Sequence, residues 1–149
     1  MEWNRIGTQA EADTLMEVFG NFHDSCIREA HLWTDHLVTP ELSMSCSGRL
    51  DNRIRLLIQR QSISPSAIEL FFEEVTRINL VPAPENYDSV ISAATLLVQD
   101  AYVFWSPESG WSPSGPGRDN VTWLSARKLS WRVVDWLGAE LRYGPKDDS

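Results

Sequence analysis

The fold is decided in the stretch Phe22-His23-Asp24-Ser25-Cys26-Ile27-Arg28-Glu29-Ala30-His31-Leu32-Trp33, where helical spacing gives way to strand spacing. From Ser25 onward, apolar side chains occupy both alternating sets of positions, which is typical of a strand covered on each face. Phe22 is expected in the core, and Asp24 and Ser25 are expected to bond backbone groups at the strand entry. The stretch therefore predicts a junction between a helix and a sheet.

A helix is predicted immediately before this junction, over residues 9–19. Thr8 and Glu11 have the spacing of a capping box, in which each side chain satisfies an unpaired backbone amide. The apolar residues that follow recur on one helical face: Ala12, Leu15, Met16 and Phe19. Gly20 stands where a left-handed residue commonly ends a helix.

The clearest strand pair is predicted over residues 54–73. Two runs alternate apolar with mixed residues, and the loop 62–66 separates them. Pairing apolar faces fixes the register, because a slip of one residue would set apolar against polar side chains. A turn centred near Ser64 then places Leu56 opposite Phe72, Ile58 opposite Leu70 and Arg55 opposite Glu73.

Beyond this pair the pattern is less regular. Residues 73–78 break the alternation as a bulge does, although the apolar positions of 67–78 also fit a helix. Further strands are predicted over 42–46, 90–99, 102–105 and 121–131, and the tail 144–149 is expected to fray. The spacing of Val134, Leu137 and Leu141 predicts a short final helix.

These elements predict one globular domain, residues 1–149, of the α+β class. An N-terminal amphipathic helix packs on a largely antiparallel β-sheet of about six or seven strands, followed by a short C-terminal helix. Residues 106–120, with three prolines and three glycines, form the one long irregular segment. Trp111 in this loop is a contact residue if exposed and a core residue if folded back, and the second is favoured.

Composition narrows the classes of partner. The formal charge of −8 disfavours nucleic acid, since a polyanion would be repelled, and it disfavours an anionic membrane surface. No apolar run has the length of a membrane helix, and the N-terminus lacks the pattern of a signal peptide, so a cytoplasmic location is expected. A basic protein partner would be attracted, although acidic chains are common for solubility alone.

Candidate chemistry centres on the junction. His23, Asp24, His31 and His36 are acceptable metal ligands, but their spacing matches no compact ligand motif, so no metal site and no cofactor are predicted. No nucleophile motif or phosphate-binding glycine loop is present, and catalytic residues cannot be named. His23, Asp24, His31 and Trp111 are the candidates for binding a ligand or partner.

A family resemblance rests on Phe22-His23-Asp24-Ser25, on residues 68–75 and on the strand ending Phe104-Trp105. Over roughly residues 20–105 the chain resembles a family of small bacterial proteins. It is also similar to immunity proteins of polymorphic toxin systems, which begin a β-rich domain with a motif of this type. The resemblance implies a β-rich domain with a toxin-binding role and transfers no catalytic residue.

The sequence therefore favours a non-catalytic cytoplasmic binding protein that meets a basic protein partner through its acidic surface, and the resemblance implies an immunity-like role. The alternative is a small-molecule-binding protein or enzyme, with a site formed by His23, Asp24 and the 106–120 loop. A deep pocket lined by His23, Asp24 and a tryptophan would favour this alternative. Exposed edge strands also make a homodimer possible.

Overall fold

A seven-stranded antiparallel sheet forms the centre of the computed structural model, which describes residues 2–145. One α-helix, α1 (Gln9–Val18), precedes most of the strands. The strands in chain order are β1 (Asn4–Ile6), β2 (Ser25–Trp33), β3 (Leu37–Val38), β4 (Met44–Ser45), β5 (Arg53–Arg60), β6 (Ala67–Asn79), β7 (Thr95–Gln99), β8 (Tyr102–Ser106) and β9 (Trp123–Val134). The expected α+β class and the N-terminal helix on an antiparallel sheet are confirmed.

The strand order is β2-β5-β6-β9-β8-β7, and β1 pairs with β9 beside β8. Strands β3 and β4 form a separate two-stranded hairpin. The core lies on the sheet face that α1 covers, where apolar side chains of the sheet meet Leu15 and Phe19. We call this the inner face and the opposite one the outer face.

Helix α1 begins and ends as the sequence predicts, to within one residue. The amide of Glu11 donates to the Thr8 hydroxyl at 3.2 Å, and the Glu11 carboxylate accepts from the amide of Gly7 at 3.1 Å. After Phe19 the chain reverses through three left-handed residues, with φ of 57° at Gly20, 56° at Asn21 and 64° at Phe22. This reversal turns Phe22 into the core, where it is fully buried.

Strand β2 lies at an edge of the sheet, and the expectation that both of its faces are covered is wrong. Leu32 is about half exposed, and Cys26 is exposed. A bulge between Ile27 and Glu29 changes the alternation. Glu29, His31 and Trp33 consequently lie on the outer face. An edge strand has a neighbouring strand on one side only, so fewer side chains surround its own.

The β5–β6 pair has the predicted faces but not the predicted register. Leu56 pairs with Leu70 and Ile58 with Ile68, so Arg55 lies opposite Phe71 rather than Glu73. The turn is centred one residue earlier than predicted, which displaces each partner by two residues. Because the strand period is two, a shift of this size leaves the apolar face unchanged, and alternation alone cannot detect it.

Strand β6 continues through the segment for which a helix was the alternative. Its pairing with β9 shifts between Val75 and Arg77, and Glu74 has a left-handed φ of 51°, so the predicted bulge is confirmed. The strand predicted over 90–99 begins only at Thr95, and the one over 42–46 is reduced to β4.

The predicted C-terminal helix is wrong, because β9 extends to Val134 and an irregular segment of residues 135–145 follows. This segment lies across the outer face. The carboxylate of Glu29 accepts from the amides of Arg142 and Tyr143 at 2.6 and 2.8 Å. Gly138, with φ of 84°, interrupts any helix here. Of the tail predicted to fray, residues 146–149 lie outside the described residues.

The segment covers a buried carboxylate, that of Glu69 in the middle of β6. Glu69 is fully buried and accepts from Arg132 at 2.8 Å and from the Tyr143 hydroxyl at 2.7 Å. Arg142 and Arg55 lie 3.4 and 3.9 Å from it. Burial alone would raise the pKa of Glu69, but these hydrogen bonds and positive charges outweigh burial and lower it.

The free edge of β7 is partly closed by a side chain of α1. The Gln9 amide group donates to Leu96 O at 3.2 Å, and its oxygen accepts from Val98 N at 2.8 Å. In residues 2–145 no helix is long and apolar enough to cross a bilayer.

Candidate functional site

The predicted site residues His23 and Asp24 lie at the junction between α1 and β2. The His23 ring is exposed, with Nδ1 2.8 Å from Ser92 O and Nε2 3.2 Å from an Asp24 carboxylate oxygen. Ser25 is buried, and its hydroxyl donates to Phe22 O, as expected for a strand entry. The Asp24 side chain contacts His23 instead of backbone. These contacts stabilise the turn between α1 and β2.

The cavity beside Asp24 does not include the other members of the predicted site. It measures about 450 Å³ and is lined by Ser25, Cys26, Gln59, Arg60, Gln61, Ser89 and Val90 besides Asp24. Neither His23 nor a tryptophan lines it. The junction therefore lacks the pocket lined by His23, Asp24 and a tryptophan that would favour a ligand-binding or catalytic site.

His31 and Trp111 each pack against another aromatic residue, away from the junction. His31 stacks on Trp33 on the outer face, with ring centroids 4.6 Å apart. His31 lies seven positions after Asp24 in the sequence, which is roughly 23 Å along the strand. Trp111 folds back against Trp123 at 5.2 Å, and its Nε1 donates to Arg118 O at 3.1 Å. The preference for a buried Trp111 is confirmed.

The β3–β4 hairpin carries an exposed apolar surface instead. Leu42 at its turn is 85% exposed, and Met44 is 72% exposed. Leu37 and Val38 on the opposing strand are each about half exposed. Val38 and Met44 are paired across the hairpin and share one face, whereas Leu37 lies on the other face. We call Val38, Leu42 and Met44 the hairpin patch. Single exposed apolar side chains need no explanation, but a group of them on one projecting element is typical of a contact surface.

The backbone of Leu42 is in an unusual conformation. Its φ of 69° places a bulky side chain in the left-handed region, which costs an L-residue roughly 1–2 kcal/mol. The turn around it is closed by Leu42 N to Thr39 O at 2.9 Å and Thr39 N to Ser43 O at 2.8 Å. Leu42 therefore combines an unfavourable backbone conformation with an apolar side chain exposed to solvent, and neither feature stabilises the fold.

A polar pocket of about 350 Å³ lies at the base of the hairpin. Its lining comes from separated parts of the chain: Asp35, Ser47, Arg49, Leu50, Asp51, Arg53, Glu73, Glu74 and Lys128. The bulge at Glu74 and the bond from Val75 N to Asn52 O hold β6 against the segment that enters β5. The hairpin contributes to the pocket only through its two flanks, at Asp35 and Ser47, and no residue of the hairpin patch lines it.

Asp51 is the unusual member of this pocket. Its side chain is only 6% exposed, yet neither carboxylate oxygen accepts a hydrogen bond from any residue in the described range 2–145. His36 Nδ1 accepts from Ser47 N at 3.3 Å, so the ring hydrogen is on Nε2, which lies 3.2 Å from Asp51 Oδ1. His36 is therefore the polar neighbour that offsets part of the cost of burying this carboxylate.

The other charged groups of the pocket are mostly paired. Arg53 binds Asp35 through two bonds of 2.9 and 3.0 Å, and the bond from Arg53 lowers the pKa of Asp35. Lys128 lies 3.3 Å from Glu74. Within the part of the chain that the structure describes, Glu73 makes no ion pair, whereas Asp51 lies 3.2 Å from His36 Nε2.

Sequence reasoning missed this site for a physical reason. The alternation of Leu42, Met44 and Cys46 predicts a half-buried strand, and nothing in the local pattern shows that no second layer covers it. The one available signal was the isolation of these apolar residues among serines and turn residues, which favours a short hairpin over a core strand.

The described residues contain no group of three or more histidine, cysteine, aspartate or glutamate side chains arranged to hold a metal ion. Comparison with protein-family models, curated proteins and solved structures finds no match to this chain.

Proposed function

We propose that this protein is a non-catalytic binding protein that recognises a basic protein partner through the hairpin patch and the adjoining pocket. The observation that carries the proposal is the group of exposed apolar side chains on the hairpin, with Leu42 85% and Met44 72% exposed. Their exposure is unfavourable in the free protein and would be relieved in a complex.

The charge of the whole chain supports a basic partner. A formal charge of −8 attracts a positively charged protein over long range and raises the rate of association. The apolar side chains would supply the affinity at short range, because charges at the rim of an interface contribute mainly to rate and specificity. The resemblance to immunity proteins implies that the partner is a toxin, and a cytoplasmic location is part of the proposal.

The test is capture of partners by the tagged full-length chain from an extract of its native cells, followed by mass spectrometry. We expect a basic protein that binds at low salt and is released near 1 M salt, where the Debye length falls to about 3 Å. The informative variant is the double substitution Leu42→Asn and Met44→Ser. It should lose the partner and keep its fold, because both side chains are exposed.

Ile63→Ser is the matched control. Ile63 is 93% exposed, and it lies in the β5–β6 loop at the opposite end of β5, roughly 25 Å from Asp51. This variant should capture the partner as the unaltered chain does. Absence of any partner at low salt, or equal capture by the hairpin variant, would contradict the proposed function.

A further inference from the structure

The two ends of the strand order, β2 and β7, are protected differently. At β7, the side chain of Gln9 bonds two main-chain groups of the strand. At β2, the carbonyl oxygen of Ser25 accepts from Ile91 N at 2.7 Å, and this is the last main-chain bond on that side of β2 within residues 2–145. The rest of β2 is therefore an edge that no side chain closes in the way that Gln9 closes β7.

The bonds of β5 show which main-chain groups of β2 face outward. Arg60 N donates toward the β6 side and Gln61 N toward the β2 side, so even-numbered residues of β5 bond β6 and odd-numbered ones bond β2. Ala30 and Leu32 lie opposite even-numbered residues of β5. Their own N–H and C=O groups consequently point away from the sheet. Both residues are exposed, and among residues 2–145 these four groups have no hydrogen-bond partner.

We propose that this edge pairs with the same edge of a second copy of the chain, antiparallel about a two-fold axis at His31. In that register Ala30 of each copy lies opposite Leu32 of the other, and the outward groups form four main-chain hydrogen bonds. The side chains of both residues lie on the inner face, level with buried residues of β5. Apolar groups therefore meet across the axis.

The neighbouring registers are less favourable. An axis at Ala30 would set Leu32 opposite Arg28, which is the extra residue of the β2 bulge. An axis at Leu32 would set Ala30 opposite Thr34, which lies beyond the end of β2. Each of these registers loses part of the regular pairing, so the axis at His31 is the one that uses all the outward groups of Ala30 and Leu32.

The charges at this edge fit a second copy better than a basic segment. Residues 30–33 include no acidic side chain, no lysine and no arginine. The carboxylate of Glu29 is already bonded by two amides of the covering segment, and Arg28 donates to Ala139 O at 2.6 Å. Nothing at this edge attracts a basic chain, and the register sets no like charges opposite each other. The inference is independent of the hairpin patch.

Sedimentation velocity of the full chain tests the inference between about 5 µM and about 500 µM, because four main-chain bonds and a short apolar contact make a small, weak interface. We expect a dimer fraction that rises with concentration. The formal charge of −8 repels two copies, so the fraction should also rise from about 0.1 M to about 1 M salt, as the Debye length falls to about 3 Å. A basic partner would respond to salt in the opposite direction.

Ala30→Pro removes one outward N–H and should abolish the dimer at every concentration. Proline is tolerated on an edge strand where its nitrogen faces solvent, so the variant should keep its fold. Ala30→Val is the matched control, because valine is similar in size to proline and retains the N–H, and it should dimerise as the unaltered chain does. If Ala30→Pro does not fold, amide hydrogen exchange of the unaltered chain replaces it, and exchange at Ala30 and Leu32 should slow as concentration rises.

His31→Cys tests the register, in a chain whose exposed Cys26 and Cys46 are replaced by serine. Position 31 of the two copies forms a pair without mutual hydrogen bonds, with Cα atoms about 4.5 Å apart, which a disulfide can span. Mild oxidation should therefore produce a covalent dimer. Ile63→Cys in the same chain is the control, since Ile63 is 93% exposed and distant from β2's open edge, and it should not cross-link above background.

A monomer at every concentration and salt would refute the second copy and leave the edge to a strand of another protein. Equal dimerisation of Ala30→Pro and Ala30→Val, or amide exchange independent of concentration, would also overturn the inference. Failure of His31→Cys to cross-link while the unaltered chain is dimeric would exclude the axis at His31. The double substitution Leu42→Asn and Met44→Ser should dimerise normally, and loss of the dimer there would assign the contact to the hairpin and not to β2.

Discussion

Leu42 combines an exposed apolar side chain with a left-handed backbone, two features that selection for stability alone would remove. Leu42→Asn is expected to raise the free energy of unfolding by about 0.5–1 kcal/mol, because asparagine tolerates this conformation better than leucine. Urea denaturation monitored by tryptophan fluorescence measures the change. Met44→Asn, on a neighbouring residue without a left-handed φ, is the control and should not be stabilised. Equal effects of the two variants would show that the conformation at Leu42 is not the cause.

Asp51 is a second residue whose contribution to stability can be tested, because it is buried beside His36. Asp51→Asn should lower the free energy of unfolding by about 1 kcal/mol, since it removes the charge that faces His36 Nε2 at 3.2 Å. Asp100→Asn should change it by less than about 0.5 kcal/mol, as surface substitutions usually do. Stabilisation by Asp51→Asn would instead mean that burying the carboxylate costs more than its contact with His36 contributes.

Among the elements, those specified by local chemistry could be predicted from the sequence. The bounds of α1 follow from Thr8, Glu11 and Gly20, all within a few residues of the helix ends they determine. The faces of β5 and β6 follow from their alternation. Their register does not, because it depends on where the chain turns, and a shift of two residues preserves every face.

Elements whose surroundings are set by distant parts of the chain could not be predicted. Strand β2 has the sequence of a covered strand but lies at the edge of the sheet. The pocket at Asp51 is assembled from the turn before β3, the entry to β5, the bulge of β6 and Lys128 of β9. No local pattern indicates that these segments meet, so the candidate site emerged only from the three-dimensional arrangement.

Gln9 protects the edge formed by β7, and this contact can be tested. Gln9→Ala leaves Leu96 O and Val98 N without their side-chain partner, which should lower the free energy of unfolding by about 1–2 kcal/mol. Alanine is the better helix former, so helix propensity cannot account for a loss.

An exposed edge also promotes pairing between molecules, so sedimentation velocity should show more dimer for Gln9→Ala as concentration rises. Gln61→Ala serves as the control, since its side chain is exposed and makes no hydrogen bond among those of residues 2–145. Unchanged stability together with unchanged self-association of Gln9→Ala would contradict a protective role.

In the whole molecule, the outer face is organised around charge where the inner face is organised around apolar packing. Glu69 on β6 connects Arg55 of β5, Arg132 of β9 and the segment 135–145 through Tyr143 and Arg142. Arg132 also lies over the ring of Trp3, at 4.2 Å, and Arg55 lies over Phe71 at 5.1 Å. The covering segment is attached by these polar contacts and by Trp136 and Tyr143, which pack against Leu57, Ala67 and Val134. Its attachment therefore depends in part on the ionisation of one carboxylate.

This arrangement predicts how stability depends on acid. The pKa of Glu69 in the folded protein lies below its ordinary value of 4.5, because the bonds from Tyr143 and Arg132 and the charge of Arg142 outweigh burial. The carboxylate consequently contributes stability above pH 4.5, and this contribution is lost as the pH falls through the lowered folded value. The arginines remain charged throughout this range, so the loss follows the protonation of Glu69.

Glu69→Gln should lower the free energy of unfolding at pH 7 by about 3–5 kcal/mol, as breaking a buried ion pair does, and should flatten the dependence on pH below 4.5. Urea denaturation from pH 7 to pH 3 measures both effects. Glu17→Gln removes an exposed carboxylate from α1 and should leave the stability at pH 7 and its acid dependence nearly unchanged. If the two variants lost stability equally on acidification, the acid sensitivity would belong to the net charge of the molecule and not to the contacts of Glu69, since only the general repulsion among charges is common to both positions.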